Sequence, residues 1–242
     1  MRIPKKITPS PIIEAVAEVR FENELSSAVI FGKLYTALSK DFTETEQLPI
    51  LQMPEELRNT RPEFKYAAHY RLKNDRFVVS IGQRTLSINQ ICTKHEYTNW
   101  AEYFAVIKRV LKEVEKAQLI SQVDRTSVKY INFVEERVSK ALNLELSLFK
   151  ERIEDYLDLS LLFTRKLKDD MKLQVTISTN AKLEGQDFKR EGPVLSLEAF
   201  KEVAKPIDSV VSEIDKLHKV AEEGFFNALQ DDYINTLNPI YE

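Results

Sequence analysis

Glu14 and Glu18 lie four residues apart in the stretch IIEAVAEVRF, and Arg20 follows them. Paired carboxylates are the equipment of acid–base hydrolysis, and a guanidinium offers planar donors to a carboxylate or phosphate. The stretch alternates. Ile13, Ala15, Ala17, Val19 and Phe21 fall on one face, and Glu14, Val16, Glu18 and Arg20 on the other, which is the period of a half-buried strand. On a strand the two glutamates share a face at roughly 13 Å. That is beyond the roughly 5–9.5 Å of a glycosidase pair, so hydrolysis by paired acids is poorly supported. Two readings remain: a solvated strand face on which Arg20 is a counter-charge, or a polar binding cleft in which Arg20 holds an anion or a partner's carboxylate.

A second polar group stands in DRTSVKYINFVE, where Tyr130 and Asn132 flank Ile131 near a strand end. Pairing AVAEVRF (15–21) with SVKYINF (127–133) puts Tyr130 level with Glu18 and Asn132 level with Arg20. The expectation is that these four side chains form one patch across a pseudo-twofold axis. His218 sits on the apolar stripe of the last helix with Ile214, Ala221 and Phe225, the usual place of a core histidine bonded to a backbone group or a carboxylate. Asp215 and Glu222 are helical neighbours that can orient it. As a catalytic base it would need a nucleophile or proton donor, and the sequence identifies none. Basic residues interleave with aromatics near Arg76, Arg84, Arg165 and Lys172, but Asp75, Asp169 and Asp170 interrupt the turns, so solvated hairpins are preferred to a nucleic-acid platform. Trp100 and Cys92 read as structural.

Other chemistries find less support. The three histidines are scattered and form no HExxH or other metal spacing, and the five glycines build no phosphate loop or dinucleotide fingerprint. No metal and no cofactor is therefore expected. The single Cys92 permits no internal disulfide and suits a reducing cytoplasm. The opening MRIPKKITPSP lacks an apolar run, so no signal peptide is expected, and no stretch approaches the roughly 18 apolar residues of a membrane span. The net charge of −3 gives no overall basic field for nucleic acid or an anionic membrane.

The elements that must carry these residues follow from periodicity. SSAVIFGKLYTALSK reads as a helix capped by Ser26 or Ser27, with Ile30, Leu34, Ala37 and Leu38 inward. Residues 41–63, with Pro49, Pro54 and Pro62, read as a long exposed loop. Three short strands turn at Asn74-Asp75 and Gly82-Gln83. A helix follows, capped by Thr98 or Asn99, with Trp100, Phe104, Ile107, Leu111 and Val114 inward. The second half reads as a strand (DRTSVKYINFVE), a helix (142–157), a hairpin turning at Asp169-Asp170, a strand (GPVLSLEAF) and a long C-terminal helix. The predicted order is βαβββα twice. It implies an α+β protein of two pseudo-repeated halves, 1–120 and 121–242, joined in one compact unit, with a largely antiparallel sheet and helices on one face. RLKNDR (71–76) and KLKDDM (166–171), at the first hairpin of each half, also match.

PIIEAVAEVRF (11–21), the tryptophan-bearing YTNWAEYF, the mid-chain VKYINFVE and the final LHKVAEEGFFNAL together resemble a sporadically distributed family of uncharacterised bacterial proteins. The resemblance runs from about residue 4 to the end. It implies an accessory or defence-associated context and assigns no reaction. The combined expectation is a cytoplasmic, non-enzymatic protein that holds a protein partner or small ligand in a polar cleft formed by Glu18, Arg20, Tyr130, Asn132 and His218. Nucleic-acid binding on a concave sheet is the alternative, and an enzyme using His218 as base ranks behind it. No membrane partner is expected, and a homodimer is left open.

Overall fold

A computed structural model describes residues 2–153, 158–185 and 188–241. The alternation of the opening stretch becomes β1 (Ile12–Arg20), with Ala15, Ala17 and Val19 buried. Then come α1 (Ser27–Leu38), β2 (Glu44–Gln47), the short α2 (Glu55–Thr60) and the meander β3 (Ala68–Lys73), β4 (Phe77–Gly82) and β5 (Thr85–Ile91). Helix α3 (Trp100–Lys116) and the short β6 (Gln122–Val123) lead to β7 (Arg125–Phe133), α4 (Val138–Ala141) and a small hairpin, β8 (Leu146–Leu148) and β9 (Glu151–Ile153). Strands β10 (Ser160–Lys166), β11 (Met171–Gly185) and β12 (Phe188–Lys201), the two-residue β13 (Lys205–Pro206), α5 (Val210–Ala228) and α6 (Asp231–Thr236) complete the chain.

Nine strands form one antiparallel sheet in the order β10-β11-β12-β7-β1-β5-β4-β3-β2. The protein is α+β. β1 and β7 are central and pair with each other. On either side the chain passes from the central strand to the outermost strand of a meander and works back inward: β3, β4, β5 beside β1, and β10, β11, β12 beside β7. Helices α1, α3 and α5 lie side by side on one face, α1 over β3 and β4, α3 over β5, and α5 over β7, β12 and β11. Small residues at 15 and 17 let this layer approach closely. The Tyr103 hydroxyl of α3, wholly buried, reaches the carbonyl oxygens of Ile88 (2.6 Å) and Ala15 (3.2 Å). Among the described residues no helix is long and apolar enough to cross a membrane.

Two expected elements differ. Residues 41–63 are about two-thirds exposed, with Phe42 buried, but they are more than a loop. β2 adds an edge strand to β3, placing Glu44 opposite Lys73 and Glu46 opposite Arg71, and Lys73 Nζ donates to Glu46 Oε2 at 3.1 Å. Cross-strand charge pairs supply what the proline-rich context lacks. The helix expected over 142–157 is absent from the described part. A single turn, α4, precedes it, and β8–β9 occupies residues 146–153, while residues 154–157 lie outside the described residues. Leu142, Leu144, Leu146 and Leu148 alternate with polar residues, a strand period. Phe149 and Lys150 take φ of 54° and 69°, the left-handed pair of a two-residue hairpin turn. Among the described residues no helix matching α1 covers β10, and most of that strand is exposed. The turn expected at Asp169-Asp170 is present, with φ of 56° and 58°.

Candidate functional site

The polar patch expected from the sequence does not form, and strand pairing shows why. β1 and β7 run antiparallel, so AEVRF and KYINF point in opposite directions. Ala15 faces Tyr130, Ile12 faces Asn132, and Glu18 and Arg20 face Ser127 and Arg125. Residues opposite each other share a face. Tyr130 and Asn132 therefore lie under the helices, and Glu18 and Arg20 lie on the open face near the other end of the strands. Asn132 is only 1% exposed and donates through Nδ2 to the Leu195 carbonyl at 3.1 Å.

On the open face the central charges close on one another. Arg20 Nε donates to Glu18 Oε1 at 2.6 Å. Arg125 spans Glu18 (3.3 Å) and Glu198 (2.6 Å), with its guanidinium 4.4 Å from the centre of the Phe200 ring. Asn89 Nδ2 donates to Glu14 Oε1 at 2.8 Å, and Lys172 holds Glu202 at 2.6 Å. This surface is polar and internally neutralised.

Beneath the helices the structure gathers a different set: Tyr130, Asn132 and His218 with Tyr97, Trp100 and Glu222, around a cavity of about 520 Å³. Local sequence positions each one. Asn99 caps α3, its Oδ1 accepting from Glu102 N and its Nδ2 donating to Glu102 Oε1, both at 2.9 Å. This N-cap sets Trp100 at the first helical position and Tyr97 just ahead of it. On α5, His218, Glu222 and Phe225 recur at helical spacing along the face turned to the sheet. On β7, the alternation that buries Val128 also turns Tyr130 and Asn132 inward. A strap formed by the N-terminal segment closes the cavity. It is held to the C-terminal segment by Lys5 N to Ile240 O (2.8 Å), Ile240 N to Lys6 O (2.8 Å) and Thr8 N to Leu237 O (2.7 Å).

The imidazole of His218 stacks on the Trp100 indole, with ring centres 3.8 Å apart and planes 14° from parallel. Its Nδ1 lies 2.8 Å from the Tyr130 hydroxyl. Burial lowers the His218 pKa to about 4, against the raising influence of Asp215, so the ring is neutral at pH 7. Either tautomer satisfies the contact: Tyr130 Oη donates to a bare Nδ1, or Nδ1–H donates to Tyr130 Oη. Asp215, expected to orient His218, instead accepts from Trp100 Nε1 at 2.9 Å and from Lys219 Nζ at 2.8 Å. Those two hydrogen bonds, Lys219 first, hold its carboxyl below the usual range. Burial raises the Tyr130 and Tyr97 hydroxyls above the ordinary tyrosine value. Tyr97 Oη is buried and near enough to the Tyr130 hydroxyl to feel it, but no group among the described residues meets it in hydrogen-bond geometry. Burial also raises the carboxyl of Glu222, helped by Glu223.

A larger cleft of about 830 Å³ adjoins this cavity across the strap, sharing Ser10, Ile12 and Glu96, and is lined by Cys92, His95, Glu135 and Arg190 among others. Burial pushes the Cys92 thiol up to about 12, so it is an unreactive thiol at neutral pH. A third polar group lies under α1, where Ser27 Oγ and His69 Nδ1 are 2.6 Å apart with Arg58 Nη1 at 3.4 Å from the ring. A serine–histidine contact suggests an activated nucleophile, but both side chains are buried and give a substrate no approach. Among the described residues no group of three or more His, Cys, Asp or Glu side chains is placed to hold a metal ion.

A comparison with protein-family models finds no match for this chain, and no curated protein is significantly similar to it.

Sequence reasoning missed Tyr97 and Trp100 as parts of the site. The signal was available. Lys129 must point to water, so its neighbours Tyr130 and Val128 must point the other way, toward the helix that carries His218. The Asn99 cap then brings the residues just before α3 to the same end of the sheet.

Proposed function

We propose that the protein works by binding, and that it holds a small ligand in the cavity between the N-terminal strap, the inner face of β7 and α5. The observation that carries this reading is a cavity of about 520 Å³ with aromatic walls, on which the polar side chains of Tyr130, Asn132, His218 and Glu222 converge. Pockets of this size with apolar walls and a few convergent polar groups are the usual form of small-molecule sites. His218 contributes its stacked ring and a neutral polar edge. With a pKa of about 4 it is a weak base at neutral pH, which favours a holding role over proton abstraction.

The nucleic-acid alternative would use the open sheet face, where Arg20, Arg125 and Lys172 are each paired with carboxylates and are poorly placed to neutralise phosphates. An internal duplication about the β1–β7 pair, a place in the family that the sequence resembles, and an accessory or defence-associated role belong to the same proposal. The shared strand order of the two halves supports the duplication.

Trp100 is the only tryptophan in the chain and stands in the cavity wall, so its fluorescence reports occupancy. A fragment screen read by that fluorescence and by thermal midpoint should find compounds that change both together. A screen in which compounds raise the midpoint but leave Trp100 unchanged would move the binding site elsewhere.

A further inference from the structure

The cavity wall carries a carboxylate that no described residue contacts directly, with Lys219 acting on it only through space. Glu222 is half-buried in its wall and makes no ion pair or hydrogen bond among the described residues. Its helical neighbours do not supply one. His218, one turn back, is neutral and bound to Tyr130, Lys219 is exposed and committed to Asp215, and Glu223 adds a second negative charge. The Glu222 charge is felt at both Tyr97 and Tyr130. Lys5, Lys6 and Glu96 stand at the rim, where all three are exposed and water screens them. The interior therefore presents one carboxylate and the aromatic surfaces of Tyr97, Trp100 and Phe225.

Building on the reading of this cavity as a ligand site, we propose that its ligand is a small molecule carrying a protonated amine on an apolar body. The ammonium lies against the Glu222 carboxylate. An ammonium brings three donors to a carboxylate, and the aromatic faces of the wall attract a cation. A carboxylate ligand would meet Glu222 as a like charge. A neutral apolar ligand would cover the carboxylate and leave it unpaired, at the cost of its desolvation. The apolar body follows from Ile7, Ile12, Phe225 and Phe226 around the same space.

The test uses the full chain and three amines of different bodies, phenethylamine, cyclohexylmethylamine and hexylamine. Each is compared with the alcohol and the carboxylate of the same skeleton by titration of Trp100 fluorescence. At least one amine should saturate the signal, its alcohol should bind about tenfold more weakly, and its carboxylate should not bind, since one charge-assisted hydrogen bond is worth at least about a factor of ten. Glu222→Gln should weaken the amine by a similar factor and leave the alcohol unchanged. An alcohol or carboxylate that binds as tightly as its amine, or an amine indifferent to Glu222→Gln, overturns the amine assignment and leaves the cavity a binding site for another class. If none of the nine compounds moves Trp100 while the fragment screen does, the amine assignment also fails and the site stands. If neither does, both fail.

Discussion

Acidification from about pH 7.5 to about pH 5 should cost this fold about 4 kcal/mol through two buried histidines, His69 and His218. Burial lowers each from 6.5 to about 4, with Arg58 adding to the effect at His69 and Asp215 opposing it at His218. In the unfolded chain both take up a proton near their ordinary value, while in the folded protein they stay neutral until about pH 4. The unfolded state therefore binds more protons between those values. The stability contribution is fully present above pH 6.5, is lost as the pH falls through 6.5 towards 4, and is constant below. At about pH 5 the difference in proton binding amounts to about 2 kcal/mol for each histidine. The carboxyls lowered by their partners, Glu22, Glu46, Glu202 and Asp215, act in the same direction but below their ordinary range of 3.8–4.5, outside this window. Glu222, raised by burial, offsets part of the loss near the acid end. Urea denaturation followed by circular dichroism at matched ionic strength across this range measures the slope. His218→Phe, which keeps an aromatic ring against Trp100, and His69→Gln should each remove about half of it, whatever they do to stability at neutral pH. A wild-type stability that is flat over this range, or a slope that survives in both variants, would refute the reasoning.

Tyr130→Phe removes the partner of His218 Nδ1 inside the fold and should cost about 1–3 kcal/mol by urea denaturation, with the strand otherwise unchanged. Arg125→Ala strands the part-buried Glu198 carboxylate, leaves Glu18 only Arg20, and should cost about 2–4 kcal/mol, whereas Arg20→Ala should cost under about 1 kcal/mol. The contrast follows from their exposure, 12% for Arg125 against 31% for Arg20, and is checked by denaturing both side by side. Asn132→Ala, which opens a buried hydrogen bond to Leu195, should lower the thermal midpoint rather than act only on binding. Asp170→Gly relieves a left-handed residue in the β10–β11 turn and should raise stability by about 1 kcal/mol, visible as a higher urea midpoint at unchanged slope.

Much of the architecture was legible because it is written in local periods. The alternation of IIEAVAEVRF, the Asn99 cap, the turns at Asn74-Asp75 and Asp169-Asp170 and the inward stripe Ile214-His218-Ala221-Phe225 each depend on residues within one or two turns of each other. The misreadings came where two local signals competed. LNLELSLFKE carries good helix formers in a strand period, and the period prevailed once Phe149 and Lys150 made the turn. In 41–63 the prolines concealed Glu44–Gln47, which become a strand by pairing with β3, where Lys73 and Arg71 stand opposite Glu44 and Glu46.

The site was less legible because it depends on parity and direction between strands far apart in sequence. Matching 15–21 with 127–133 is out by an odd number of residues, and a slip of one turns every side chain to the other face. That slip put Tyr130 beside Glu18, when the sheet places it opposite Ala15 and under α5. The sequence by itself determined which residues alternate, which helical faces are apolar, and that His218, Tyr130 and Trp100 each belong to an inward surface, because hydrophobic periodicity is local. Only the tertiary structure decided that these surfaces meet at one end of the sheet, that the strap at residues 4–10 closes over them, and that among the described residues Glu222 is left there without a hydrogen bond or ion pair. Those facts depend on contacts between distant segments, where the choice among antiparallel registers is made by the packing of the whole helix layer rather than by any single stretch.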